Sequence, residues 1–254
     1  GPRGFEVHRG KTVPGRTVDY RWRTRAVETF SIAPVPRLLI FVICWATALL
    51  ALPADAAAQA DASIQAVPLS PGETPRLTGR LDHPAWKRAP VYDQFVEKAP
   101  TLDAQPTQAT QVQVLFDEQA LYVGITAFDT EPALIRKPLV RYDQVNRTQD
   151  FVVVYVDPIG SRRSAQWFRV SAAGSQADGL HTAADDNEDF APDFDWDAAV
   201  APHPLGWTAV LRLPFASLRF TEGGADRWRI MVARRLPRQD FHLFTSVRVP
   251  QEAA

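Results

Sequence analysis

Apolar residues fall in short runs along this chain, and most of the runs alternate. Phe151–Asp157 (FVVVYVD) is apolar at nearly every position and rich in Val. That pattern predicts a strand covered on both faces, hence one in the middle of a sheet. A polar connection through Pro158, Gly160, Arg162 and Arg163 leads to Ala165–Ala172, which alternates. There Trp167 and Arg169 leave one face while Phe168 and Val170 leave the other. Upstream, Gln111–Phe116 puts Val112, Val114 and Phe116 on one face. Asp117–Gln119 makes a turn, and Leu121–Phe128 returns with Leu121, Val123, Ile125 and Ala127 in line, which predicts a hairpin. Downstream, Gly206–Leu213 aligns Trp207, Ala209, Leu211 and Leu213, and Trp228–Arg235 and Phe241–Val249 supply the last strands.

Helical signals are confined to single turns. One carries Pro84, Ala85 and Trp86 with Asp82 as its cap, one spans Pro132–Arg136, and one spans Pro214–Leu218. A short segment at Tyr92–Val96 completes the reading. Six or more short strands with little helix predict an all-β fold, an antiparallel β-sandwich, rather than a βαβ fold. Val152, Val154, Val156, Phe168, Val210 and Leu211 are the expected core, with Trp86 as a plug.

The N-terminal quarter breaks this pattern. Residues 1–36 hold seven Arg and Lys and three acids without apolar periodicity. Arg37 then leads the apolar run Leu38–Leu52, followed by small residues. This is the plan of a secretory signal peptide at residues 37–60, and the run is shorter than the ~20 residues of a membrane-spanning helix. A buried core helix would need an amphipathic face, which the run lacks. A signal of this kind starts near its basic residue, so residues 1–36 are expected to be a spurious or disordered extension, with Val27 or Val35 as candidate starts. Residues 61–75 are small, polar and Pro-rich and read as a linker. Residues 76–249 form the domain, and residues 250–254 read as the start of a C-terminal region.

Charge and cysteine narrow the chemistry. A net charge of −1 without a basic stripe argues against a nucleic-acid partner. Cys44 is the one cysteine and lies inside the apolar run without a lipobox, so the exported domain has no disulfide or thiolate chemistry. No G-x-S-x-G, H-E-x-x-H or P-loop pattern occurs, and His83, His181, His203 and His242 lack metal-ligand spacing.

Two groups of residues carry candidate chemistry. Arg169 and Trp167 share a strand face, where a guanidinium can bridge sugar hydroxyls and an indole can stack on a pyranose. The other reading of that pair is an Arg held by a sheet acid and a Trp packed under a loop. The acidic segment places Asp193, Asp195 and Asp197 between aromatic residues, and oxygen-rich clusters suit calcium. The EF-hand pattern fails there, with Phe190 at the glycine position and Trp196 at the closing glutamate, so a solvated acidic loop is the other reading. No other cofactor is expected.

The ordered motifs GRLDHPAW, VQVLFDEQALYVGITAFD, QDFVVVYVD, WFRV and GWTAVLRLPFASLRF resemble the family 9 carbohydrate-binding-module-like domain. The version is the one found at the N-terminus of large exported bacterial proteins with a β-rich C-terminal region. The resemblance covers about Pro75 to Val249. It implies a jelly-roll or immunoglobulin-like sandwich, a glycan ligand, and a link to polysaccharide breakdown. It also implies that Arg169 of WFRV hydrogen-bonds sugar hydroxyls. The family's carboxylate on the preceding strand falls at Val153, one sandwiching Trp falls at Asn146–Thr148, and no Trp follows Trp228 for the second.

The expectation is therefore an exported, non-catalytic carbohydrate-binding domain, in the periplasm, at the outer membrane or outside the cell. The alternatives are a cap on a C-terminal outer-membrane β-barrel and the N-terminal part of a glycoside hydrolase. Export has a direct check. N-terminal mass spectrometry of protein recovered from periplasm or medium is expected to find Asp61, within a few residues, as the first residue, because Ala58-Gln59-Ala60 is a small-x-small cleavage pattern. Recovery of the intact apolar run would overturn that expectation.

Overall fold

The computed structural model describes residues 63–219 and 228–249. The extension, the signal peptide and residues 250–254 lie outside the described residues. Two sheets form the fold. One has five strands in the order β1 (Ala66–Pro68), β3 (Thr110–Phe116), β4 (Ala120–Phe128), β10 (Gly206–Pro214) and β9 (Asp197–His203). The other has seven, in the order β2 (Val96–Ala99), β12 (His242–Thr245), β11 (Arg229–Leu236), β5 (Phe151–Asp157), β6 (Ser164–Ser171), β7 (Gln176–Thr182) and β8 (Asn187–Asp189). Every pairing is antiparallel except β1 with β3. Helix is limited, among the described residues, to three 3-10 turns at Pro84–Arg88, Pro132–Leu134 and Phe215–Ser217. The antiparallel sandwich is the fold that the alternation predicts.

β5 occupies the middle of the seven-stranded sheet and is buried on both faces apart from a half-buried Tyr155. Its inward residues Val152, Val154 and Val156 meet Phe168, Val170 and Val232 of the same sheet and Val123, Ile125 and Leu211 of the other. The expected core residues are all buried, but Val210 belongs elsewhere. It points out of the five-stranded sheet into a second cluster with Leu115, Tyr122 and Trp86. Trp86 seals that outer face by lying where a side chain on Gly124 would be, since a Cβ there would come within 2.8 Å of the indole.

Four local readings are corrected. The 3-10 turn at Trp86 is capped by the His83 ring, which accepts from the Ala85 amide, and not by Asp82. Residues 66–68, inside the stretch read as a linker, pair with β3 as β1, and Leu69 is buried behind them. Asn187–Asp189, inside the stretch read as a solvated loop, is the edge strand β8. β7 and β9 are further strands that the alternation did not signal.

Between the sheets at one end lies a buried charge cluster. Arg238 donates to Asp129 at 2.6 Å, and Arg234 stands 3.9 Å from the same carboxylate and donates to the Ala109 carbonyl at 2.9 Å. Burial, the main cause, pushes the Arg234 guanidinium down to about 10. The adjacent Asp150 accepts from the Arg136 amide at 2.7 Å, yet burial raises its pKa to about 6. Between the unfolded value near 4 and the folded value near 6 the native state holds the extra proton, so stability falls as pH rises through that window. Urea unfolding at pH 5 and pH 7 is expected to show this, with Asp150→Asn shrinking the difference in the direction of greater stability at pH 5 by about 1 kcal/mol. An unchanged difference in the variant would contradict the assignment.

Candidate functional site

The outer face of the seven-stranded sheet carries the site, and register decides which side chains meet there. Ala233, Val153, Arg169 and Ala177 lie in one row across β11, β5, β6 and β7. The next row holds Met231, Tyr155, Trp167 and Gly179. A groove of about 550 Å³ runs over this face, within the ~300–1,000 Å³ typical of small-molecule sites. Phe151, Val153, Tyr155 and Arg169 line it from β5 and β6, and Glu188 and Phe190 line it from β8 and the chain just beyond.

Arg169 is the centre of the face. The residue is only 6% exposed. The guanidinium carbon stands 4.7 Å from the Phe151 ring centroid and 4.6 Å from that of Trp167. Nη2 donates to the Glu188 carboxylate at 2.5 Å and Nη1 to the Val145 carbonyl at 3.2 Å. The Tyr155 hydroxyl donates to the same Glu188 oxygen at 3.2 Å, and burial holds the phenol well above its usual pKa, so it remains a donor. Cation, carboxylate and phenol thus form one connected group at the groove.

Glu188 reaches β6 from β8, two strands away, because β7 between them is small at the right places. Ala177 faces Arg169 in register. Gly179 lies under the returning chain, where a Cβ would come within 2.1 Å of the Asp189 carbonyl and 2.9 Å of the Trp167 ring. Lacking one, β7 lets the β8 chain lie close, and Phe190 packs edge-on to Trp167 with centroids 4.9 Å apart. The turn between β7 and β8 is fastened too. Asp186 meets the His181 ring at 2.9 Å and Lys98 of β2 at 3.8 Å, so charged groups from both edges of the sheet meet over the groove.

At the far side the loop before β5 and the turn after β11 form a second feature. Arg147 lies over the Phe241 ring, 5.7 Å from its centroid, and Arg235 donates to the Phe241 carbonyl at 2.6 Å.

The two residues singled out from the sequence share this face but differ in access. Arg169 lines the groove, held by a carboxylate. Trp167 has no exposed surface, and Arg169 and Phe190 cover it, so it is a floor under the site and not a stacking platform. The exposed aromatic ring at that position is Phe190, at 37% exposure. The carboxylate missing at Val153 is supplied by Glu188 from the opposite side of Arg169. Asp193, Asp195 and Asp197 are not drawn together. Asp197 faces Arg212 at 3.9 Å, and the Asp195 carbonyl accepts from Ser217 at 2.6 Å. Among the described residues no three His, Cys, Asp or Glu side chains are placed to share a metal ion. Glu188, Phe190 and Tyr155 were not assigned to the sugar site from the sequence. Tyr155 alone had a signal, since alternation along β5 puts it on the face of Val153.

No family model and no curated protein matches the chain. Among solved structures the fold is similar to a family 9 carbohydrate-binding module from Caldicellulosiruptor kristjanssonii in complex with cellotriose. That match has a TM-score of 0.51 and 14% identity, and covers 72% of this chain and 84% of that one. The module from the same organism in complex with glucose aligns at a TM-score of 0.50 and 14% identity, over 72% and 85% of the two chains.

Proposed function

We propose that this domain binds a glycan in the groove over the seven-stranded sheet, as a non-catalytic part of an exported protein concerned with polysaccharide. The observation that carries the reading is the Arg169–Glu188–Tyr155 group beside the half-exposed Phe190 ring. Adjacent sugar hydroxyls both donate and accept. A guanidinium with a carboxylate next to it offers the complementary donors and acceptors at similar spacing, and an aromatic ring receives the apolar C–H face of a pyranose. The likeness of the fold to a module solved with cellotriose supports the same reading. Export rests on the signal-peptide pattern at residues 37–60.

A site of one guanidinium group and one partly exposed ring supports millimolar to high-micromolar binding, about 4–6 kcal/mol. Titration of the full chain with a panel of mono- and oligosaccharides, followed by NMR or calorimetry, is expected to show binding in that range. Tyr155→Phe keeps the ring and removes the hydroxyl, so it is expected to weaken binding several-fold while the domain stays folded, its melting temperature lower by several degrees for the lost Glu188 hydrogen bond. Arg169→Ala is a poorer probe, because it strands Glu188 and uncovers Trp167. The absence of any response across the panel would overturn the proposal.

A further inference from the structure

The groove is unevenly charged. Arg169 has Glu188, and Lys98 has Asp186. On the side of the β11–β12 turn, Arg147 and Arg235 both line the groove, and among the described residues neither has a carboxylate at ion-pair distance. Their contacts converge on Phe241, whose ring lies under Arg147 and whose carbonyl accepts from Arg235. The Arg235 Nε is buried without an acceptor. Burial, the main cause, and the charges of Arg169 and Arg147 lower the pKa of Arg235, outweighing Tyr155 and Glu188, which act the other way. The turn that creates this arrangement is strained, with Gln239 at φ 60° and Phe241 at φ 55°. Side chains are disfavoured there, and such strain marks places where a particular geometry is held. The geometry held here is two guanidiniums facing one groove.

We infer that the glycan taken by this groove is acidic: a uronate whose carboxylate lies between Arg147 and Arg235, with its ring toward Tyr155 and Arg169. The inference rests on the glycan reading of the same site. A carboxylate has two coplanar oxygens that match the guanidinium fork, and it supplies the charge that the protein leaves out. A neutral sugar leaves both cations as they are.

Trigalacturonate, its methyl ester and cellotriose distinguish the possibilities when titrated into the full chain. Trigalacturonate is expected to bind at least about tenfold more tightly than the methyl ester, the scale of one added charged hydrogen-bond pair. In the Arg147→Gln, Arg235→Gln double variant the acid is expected to lose this advantage while methyl ester binding persists. Arg147→Gln alone changes an exposed side chain, keeps the test readable if the double variant does not fold, and is expected to lose part of the advantage. Equal binding of acid and ester, or binding of cellotriose alone, overturns the acidic ligand and leaves the glycan site standing. An acid preference that survives in both variants places the carboxylate elsewhere and overturns the assignment to these arginines. No binding of these probes or of any sugar removes the glycan reading itself, and the acidic ligand with it.

Discussion

A guanidinium buried against a sheet needs a carboxylate, and on this face the neighbouring strand offers none. Arg169 pairs in register with Val153 on one side and Ala177 on the other. Removing the partner of a buried charge costs several kcal/mol, so the fold depends on a carboxylate arriving from outside that row. Glu188 supplies it from β8. The geometry of the edge follows from this one pairing. β7 is small at Ala177 and Gly179, the β8 backbone lies over Gly179, and Phe190 closes over Trp167. The β7–β8 turn is fastened by Lys98 and His181 through Asp186.

The same pairing sets what the groove can do. Arg169 and Glu188 satisfy each other, so a ligand meets a polar pair already positioned, with Tyr155 beside it. Net charge in the groove then lies elsewhere, on Arg147 and Arg235 at the β11–β12 turn. The site is polarised along its length. One end presents a neutral, balanced group suited to hydroxyls, and the other presents two cations, Arg147 over the ring of Phe241 and Arg235 bound to its carbonyl.

Much of the frame was legible in the sequence and much of the site was not. The limits of β5 follow directly from its Val-rich run, and alternation in β6 correctly sends Trp167 and Arg169 to one face. Long strands with one buried face carry a period-two signal. β8 has three residues, all polar, and pairs only with β7, so Asn-Glu-Asp within an acidic run gave no period to read. β9, at a sheet edge, has three Ala among its seven residues, and β1 is three residues beside Pro71 and Gly72, composition that reads as linker. The face of Trp167 was readable, but its burial was not, because the cover comes from Phe190 in the unread segment. The paired-Arg and packed-Trp reading describes the local structure, and Arg169 nevertheless lines the groove.

The central claim is that Glu188 holds Arg169 and so builds the site. A double-mutant cycle on unfolding free energy, with Arg169→Met, Glu188→Gln and the pair, measures that coupling independently of any ligand. A coupling of about 1.5–3 kcal/mol is predicted, the range of hydrogen bonds to charged groups. Additive single variants, with coupling near zero, would contradict the account.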